Sequence, residues 1–277
     1  MRVRAFAKIN RSLHVLGIRT DGYHELRTIF QSIALHDTLT IRARRGPFHF
    51  SCDDPACPSD DTNIVSRAAR LVWEAAGRRG APRDVRVNLA KTIPVIAGLG
   101  GGSSDAAAAL RAFGRLWRVH EARLREIGRS LGADVPYFFE GGTVLGLDRG
   151  DLLFPLVDAP KAWVVLVLPA FGVSTKDAFG WWDTRGRSAE AFGLRQSGND
   201  LQPVVARRHP EIGRIVTALG RAGATQAAMS GSGSAVFGLF SRRTDAVRAA
   251  AAVATRARRT IVTRTVDRAA YQALAAC

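Results

Sequence analysis

Cysteine is scarce: three residues, Cys52, Cys57 and Cys277, in a chain of 277. An odd number, two of them separated by four residues, makes no disulfide framework. A zinc site would need further soft or imidazole ligands near Cys52 and Cys57, and His49 alone does not supply them. Reduced thiols in a cytoplasmic protein are expected. No run of 18 apolar residues occurs, and Met1–Lys8 contains no apolar stretch, so neither a membrane span nor a signal peptide is expected. Repeats and low-complexity linkers are also missing. Lysine is nearly absent, at Lys8, Lys91, Lys161 and Lys176 only, although lysine and arginine together number 40. Where arginine is the default cation, a lysine can mark a need for a compact ammonium.

Arginine is what the chain has in excess, giving a net charge of +16. These arginines are spread from Arg2 to Arg268, in pairs at most, with no basic tail. Nucleic-acid binding needs clustered cations, so a solvated arginine-rich surface is the better reading and a nucleic-acid partner is not expected. Hydrophobic content of 47% is that of a globular protein.

Glycine is abundant and unevenly placed. Pro94-Val-Ile-Ala-Gly-Leu-Gly-Gly-Gly-Ser-Ser-Asp105 packs Gly98, Gly100, Gly101 and Gly102 into five positions before an alanine run. Ser103, Ser104 or Asp105 is the expected cap of the next helix. A glycine loop opening onto a helix N-terminus is an anion site, most often for phosphate. It is not the common P-loop, because no Gly-Lys-Ser/Thr comes after it. The dinucleotide fingerprint also fails, since its third glycine would fall at Ser103. A second Gly/Ser loop spans Ser230–Ser234.

The order of elements suggests two units. Strands are expected at 3–9, 13–18, 38–44 and 84–89, with 48–52 as hairpin partner of 38–44. Helices are expected at 64–76, from the glycine loop to Trp117, and at 121–131, and a hairpin at 141–154 closes the first unit. After Pro155 come an apolar strand at 163–168, helices at 176–182, 199–205 and 211–221, strands at 225–229 and 235–240, a helix at 245–258 and a strand at 260–265. That order is a split β-α-β sandwich, ferredoxin-like, on an antiparallel sheet. The fold class is α+β, with domains at 1–155 and 156–277.

Single residues add detail. Thr20-Asp-Gly-Tyr-His24 is a turn presenting Tyr23 and His24, either as incidental aromatics or as a stacking face beside a hydrogen-bond donor. Asp134 lies between a helix stop at Gly132 and Pro136, either as a partly buried carboxylate or as a turn cap. If the first loop holds phosphates, phosphoryl transfer is the leading reaction, and a lysine with an aspartate would serve the acceptor hydroxyl.

Four segments resemble the GHMP small-molecule kinases: Ala7-Lys-Ile-Asn10 with Asp21-Gly-Tyr-His24; Pro94–Ser104 with its GLGGGSS core; Leu131-Gly-Ala-Asp-Val-Pro136; and Ala228-Met-Ser-Gly-Ser-Gly-Ser234. The resemblance covers nearly the whole chain. It implies a two-domain architecture, an N-terminal ATP-binding domain like that of a ribosomal protein and then the ferredoxin-like domain. It implies ATP with Mg²⁺ as cofactors and a cytidylyl methylerythritol as the small-molecule substrate, phosphorylated on a tertiary hydroxyl in non-mevalonate isoprenoid synthesis. Catalysis would fall to Asp134 and Lys8. Pro94, Val95, Ile96, Ala97, Gly98, Leu99, Gly100, Gly101, Gly102, Ser103 and Ser104 would hold ATP, with Asn63 and Lys91 on the adenine side. Asn10, Tyr23, His24, Thr175 and Phe179 would bind the substrate, Tyr23 and Phe179 stacking on the base. No metal ligand is named: Asp105 is in reach by sequence, but an acid at a helix start is more often a cap. A monomer or weak homodimer is expected.

Overall fold

The computed structural model describes residues 1–184 and 198–275; Cys277 lies outside them. Its first sheet is built on one long hairpin. β1 (Arg2–Ile18) runs antiparallel to β2 (His24–Pro47) around the turn at Asp21-Gly22. The two short strands expected at 3–9 and 13–18 are therefore one strand. It continues through Asn10–Ser12 by a register irregularity, one of three along the pair. Such a bulge adds a residue and re-aims its neighbours without ending the pairing.

β2 continues the sheet to β4 (Arg83–Ala90) with its second half and to β5 (Thr143–Asp148) with its first half. β6 (Leu152–Pro155) pairs with β5. β3 (His49–Cys52) lies parallel to β4, so 48–52 is not the hairpin partner of 38–44. The pairing of β2 with β4 runs to Pro47 through an irregularity after Ala43, so β4 takes the place beside β2 that a β2–β3 hairpin would need.

Three helices cover this sheet: α1 (Ile64–Ala75), α2 (Gly101–Trp117) and α3 (Glu121–Leu131). Ala106–Ala109 of α2 are all buried, because α2 has neighbours on most sides and only small side chains fit. A Cβ at Gly114 would stand 2.3 Å from a Leu124 methyl, so the Leu124 side chain of α3 rests directly on the α2 backbone there. Leu116 is 39% exposed, on the side of α2 that faces water. The cap also differs from expectation. Gly100 is the N-cap, with φ 71°, and neither serine nor Asp105 caps α2. The serines lie inside the first turn.

The second sheet has the order β11-β7-β10-β9, all antiparallel. Its strands are β7 (Trp163–Pro169), β9 (Gln226–Met229), β10 (Val236–Phe240) and β11 (Arg258–Arg264). This is the split β-α-β order expected. β7 is apolar throughout because each of its faces meets a different core. Val165 and Val167 pack with helices α7 (Pro210–Arg221) and α8 (Arg243–Val253), while Val164 and Leu166 pack with Ala7, Ile9 and Ile33 of the first sheet. Each such side chain contributes about 1.5–3 kcal/mol by leaving water, so the two sheets share one apolar seam.

Further differences lie in the second half. Asn199 is not helical; with Gly198 it forms β8 (Gly198–Asn199), parallel to β1 at Ser12–Leu13, and α6 starts at Gln202 (Gln202–Arg208). α8 stops at Val253 rather than 258, since Arg258 already pairs with Pro169. Two helices that the sequence pattern does not announce are the single turn α4 (Tyr137–Glu140) and α9 (Arg268–Ala275). α5 spans Thr175–Asp183.

Candidate active site

β1 places Lys8 and Asn10 two residues apart on one face. The Lys8 ammonium donates to Asn10 Oδ1 at 2.6 Å and lies 3.2 Å from Asp134 Oδ2. Asn10 Nδ2 donates to Thr28 Oγ1, whose hydroxyl donates to the Ser12 carbonyl. That chain fixes which end of the Asn10 amide faces the ammonium. Lys8 is buried, with its ammonium 5.3 Å from the centre of the Phe30 ring. A buried cation needs such partners, since desolvation alone costs several kcal/mol. Asp134 is partly buried, as expected, and is half of an ion pair rather than a turn cap. α3 stops at Gly132, the chain turns, and buried Val135 and Tyr137–Phe139 pin the backbone on the C-terminal side of Asp134. The carboxylate is left facing the cleft.

The glycine loop lies directly on this pair. Leu99 O accepts from the Lys8 backbone N–H at 3.0 Å. Gly98 takes φ 73°, and a Cβ there would meet the Ser230 carbonyl oxygen at 2.2 Å. The second Gly/Ser loop is thus packed against the first. Ser230 Oγ donates to Gly98 O and accepts from Asn10 N, and Asn199 Nδ2 donates to the Met229 and Gly231 carbonyls. Asn199 carries no sequence signal of this role, because nothing in its neighbourhood marks a loop clamp. The N–H groups of Gly101, Gly102 and Ser103 open α2 and have no intrahelical partner, so the positive end of α2 faces the cleft. Ser104 is different. Its N–H donates to Gly100 O, and its hydroxyl donates to the Phe6 carbonyl beneath the loop. It is turned away from the cleft, because the helix has already begun at that position.

Lys91 is buried between two carboxylates. Its ammonium bonds Asp37 Oδ2 at 2.5 Å and Asp105 Oδ2 at 2.9 Å, while Asp37 Oδ1 accepts from Thr92 N and Ile93 N. Burial works against the Lys91 charge, yet Asp105 and Asp37 outweigh it and hold its pKa above the ordinary lysine value. Burial pushes the Asp105 carboxyl well above the usual carboxylate range, Lys91 only partly countering it. Asp105 Oδ1 has no hydrogen-bond partner among the described residues. Asp37, fully buried in a strand, carries no sequence signal of this role either. Nearby, Asn63 caps α1 by accepting from Val65 N, and its Nδ2 donates to Pro58 O and Cys57 Sγ.

At the other end, Tyr23 is 56% exposed, with the Arg149 guanidinium 5.1 Å from its ring centre. Phe179 stacks on His24, with ring centres 4.4 Å apart and planes at 28°. Thr175 and Ser232 share a hydrogen bond of 3.1 Å between their hydroxyls.

All the site residues expected from the sequence except Ser104 line one cleft of about 890 Å³: Lys8, Asn10, Tyr23, His24, Asn63, Lys91, Pro94–Ser103, Asp134, Thr175 and Phe179. Phosphate-binding geometry at one end, an ammonium–carboxylate pair in the middle and aromatic rings at the other end define an ATP-dependent small-molecule kinase. Residues 63–142 match the GHMP kinases N terminal domain and residues 180–259 match GHMP kinases C terminal. A 4-diphosphocytidyl-2-C-methyl-D-erythritol kinase of Solibacter usitatus is 43% identical over 89% of this chain and 83% of its own. The protein of that name in Pelotomaculum thermopropionicum is 41% identical over 95% and 97%. A crystal structure of 4-(cytidine 5'-diphospho)-2C-methyl-D-erythritol kinase superposes with TM-score 0.81 at 35% identity, covering 96% of this chain and 99% of that one. A mevalonate kinase structure, at 13% identity and TM-score 0.71, shares the fold. The chain belongs to the GHMP kinases and, within them, to the family of 4-diphosphocytidyl-2-C-methyl-D-erythritol kinases. No helix among the described residues is long and apolar enough to cross a membrane.

Proposed function

We propose that this chain transfers the γ-phosphoryl group of ATP to the 2-hydroxyl of 4-(cytidine 5'-diphospho)-2-C-methyl-D-erythritol, giving the 2-phosphate and ADP, a step of non-mevalonate isoprenoid precursor synthesis. The observation that carries the reading is the Lys8–Asp134 pair, 3.2 Å apart beneath the glycine loop and in the same cleft as Tyr23 and His24. Such transfer asks the protein for positioning and charge stabilisation more than for covalent chemistry. Asp134 orients the acceptor hydroxyl and takes its proton as the oxygen meets phosphorus. Lys8 offsets the charge on the moving phosphoryl oxygens, and Asn10, held by Thr28, contacts the alcohol. The first-turn N–H groups of α2 and the loop Pro94–Ser103 receive the ATP phosphates, with Asn63 and Lys91 towards the adenine. Ser104 supports the loop from beneath.

Tyr23 and Phe179 flank the cytosine, His24 meets its edge, and Thr175 is a polar contact. Residues 1–155 then supply the nucleotide loop and the reacting pair, and residues 156–277 close the cleft with α5 and the second loop. Mg²⁺ belongs with ATP here, to neutralise charge on the phosphates. No group of three His, Cys, Asp or Glu side chains is arranged to grip a metal among the described residues. The ion would be carried chiefly by the ATP phosphate oxygens, since Asp105, the acid beside the glycine loop, is buried and tied to the Lys91 ammonium.

A coupled assay of ADP release against a panel of alcohols tests the reading. Turnover is expected with the cytidylyl methylerythritol and not with mevalonate or homoserine. Faster turnover of an acceptor lacking the base would overturn it.

A further inference from the structure

His24 is gripped by one face of α5. Phe179, Trp182 and Asp183 are spaced i, i+3 and i+4, which places them together on a helix. Phe179 stacks on the imidazole, Trp182 meets it edge-on at 5.6 Å and 90°, and Asp183 Oδ1 lies 2.7 Å from Nε2. Two rings hold the imidazole plane and the carboxylate holds one of its nitrogens. No other hydrogen bond reaches the ring from the described residues, although His24 lines the cleft. The helix that grips it starts at Thr175, itself tied to Ser232 of the second Gly/Ser loop. The ring is therefore positioned from the far side of the cleft, not by its own strand.

A carboxylate offers only lone pairs, so the nitrogen facing Asp183 must carry the proton. In the neutral ring the other nitrogen, Nδ1, is then an acceptor with no donor capacity. An acceptor on the cleft side pairs with an amine and repels a carbonyl. Cytosine and uracil differ at one ring position in this property: cytosine presents an exocyclic amine, uracil a carbonyl oxygen.

We propose that Asp183 is a specificity-determining positioning residue, which fixes the proton of His24 on Nε2 and thereby makes the pocket select a cytidylyl over a uridylyl substrate. This rests on the reading that the pyrimidine of the substrate meets His24. That reading requires only contact; the direction of the hydrogen bond comes from Asp183. Replacing the carboxylate by an amide offers Nε2 a donor, which lets the ring carry its proton on Nδ1 and face the substrate as a donor instead.

The test compares wild type, Asp183→Asn, Asp183→Glu and His24→Ala with ATP and the cytidylyl and uridylyl forms of the methylerythritol diphosphate. Nitrogen-15 NMR of the His24 ring reads its tautomer independently. Wild type is expected to show an unprotonated Nδ1. Asp183→Asn is expected to shift the proton towards Nδ1 and lower the cytidylyl-to-uridylyl ratio of kcat/KM on the order of ten-fold or more, through the KM of the alcohol. The KM for ATP stays unchanged, and Asp183→Glu restores the ratio. A Nδ1 already protonated in wild type would overturn the proposal, as would an unchanged ratio in Asp183→Asn while His24→Ala raises the KM. If His24→Ala leaves the KM for the cytidylyl substrate unchanged, the base does not meet His24, and the proposal falls together with the reading beneath it.

Discussion

A Cβ placed on Gly100 would stand 3.1 Å from both Cγ and Cε of Lys8, and 2.8 Å from the Phe138 ring. The glycine loop and the buried Lys8 side chain are therefore in contact at a residue that has no room for a side chain and takes φ 71°. Gly100→Ala is expected to cost about 1–3 kcal/mol of stability from backbone strain. It should also lower kcat on the order of 10²-fold, because the displaced lysine no longer faces the transferred group. Thermal unfolding and steady-state kinetics of the same preparation check both. Full activity in a stable variant would refute the contact's importance.

Asp134→Asn keeps the shape of the side chain and removes its basicity. Loss of kcat on the order of 10²-fold or more is expected, as for loss of a general base. KM for ATP should change little. Near-normal turnover would reduce Asp134 to an orienting group for Lys8.

Lys91→Met should leave Asp37 and Asp105 buried without a counter-charge. Breaking a buried pair in this way costs about 3–5 kcal/mol. Adding Asp105→Asn should recover part of that loss, since one of the two stranded charges is then gone. Urea titrations of the single and double variants decide it, and simple additivity would argue against a shared cluster.

Cys52 and Cys57 should behave differently towards an alkylating reagent. Burial pushes the Cys52 thiol up to about 12, so it stays a thiol at pH 8. Cys57 lines the cleft beside Asn63. Peptide mapping is expected to find Cys57 modified first, and more slowly in the presence of ATP. The raised Cys52 value also has a sign in stability. The folded state keeps its proton where the unfolded chain has lost it, so stability falls as pH rises from about 9 towards 12. Cys52→Ser should remove that part of the alkaline loss in a pH-dependent unfolding series.

Tyr23→Ala should raise the KM for the cytidylyl substrate about ten-fold and leave ATP binding intact, as removal of a stacking ring does. An unchanged KM would mean that Tyr23, half in water and held by Arg149, takes no part in binding the base.

Much of this site is written locally. Gly98–Gly102 before an alanine run and the Asp21-Gly22 turn that delivers Tyr23 and His24 need only neighbours in sequence. The helix stop at Gly132 that exposes Asp134 is equally local. The features hidden from the sequence depend on partners far along the chain. Asp37 meets Lys91 across 54 positions, Asn199 reaches Gly231 from a two-residue strand, and Asp183 reaches His24 across 159. Ser104 misleads for the opposite reason. Its neighbours look like a phosphate loop, but α2 starts three residues earlier and consumes its N–H. The parallel placement of β3 likewise results from competition for an edge that no residue in 48–52 announces.

The Tyr271 hydroxyl donates to the Phe138 carbonyl across 133 positions, and a Cβ at Gly141 would strike the Tyr271 ring at 2.1 Å. The segment that carries Asp134 is therefore braced by a helix that a ribosome makes much later. At roughly 5–20 residues per second, the first sheet and its helices wait on the order of ten seconds or more with a tyrosine-shaped hole beside the segment that carries Asp134. A nascent chain stalled before Arg268 should already bind ATP yet fail to phosphorylate, and activity should appear only when α9 has cleared the exit tunnel. Timing of synthesis, not only of folding, then sets when this enzyme begins to work.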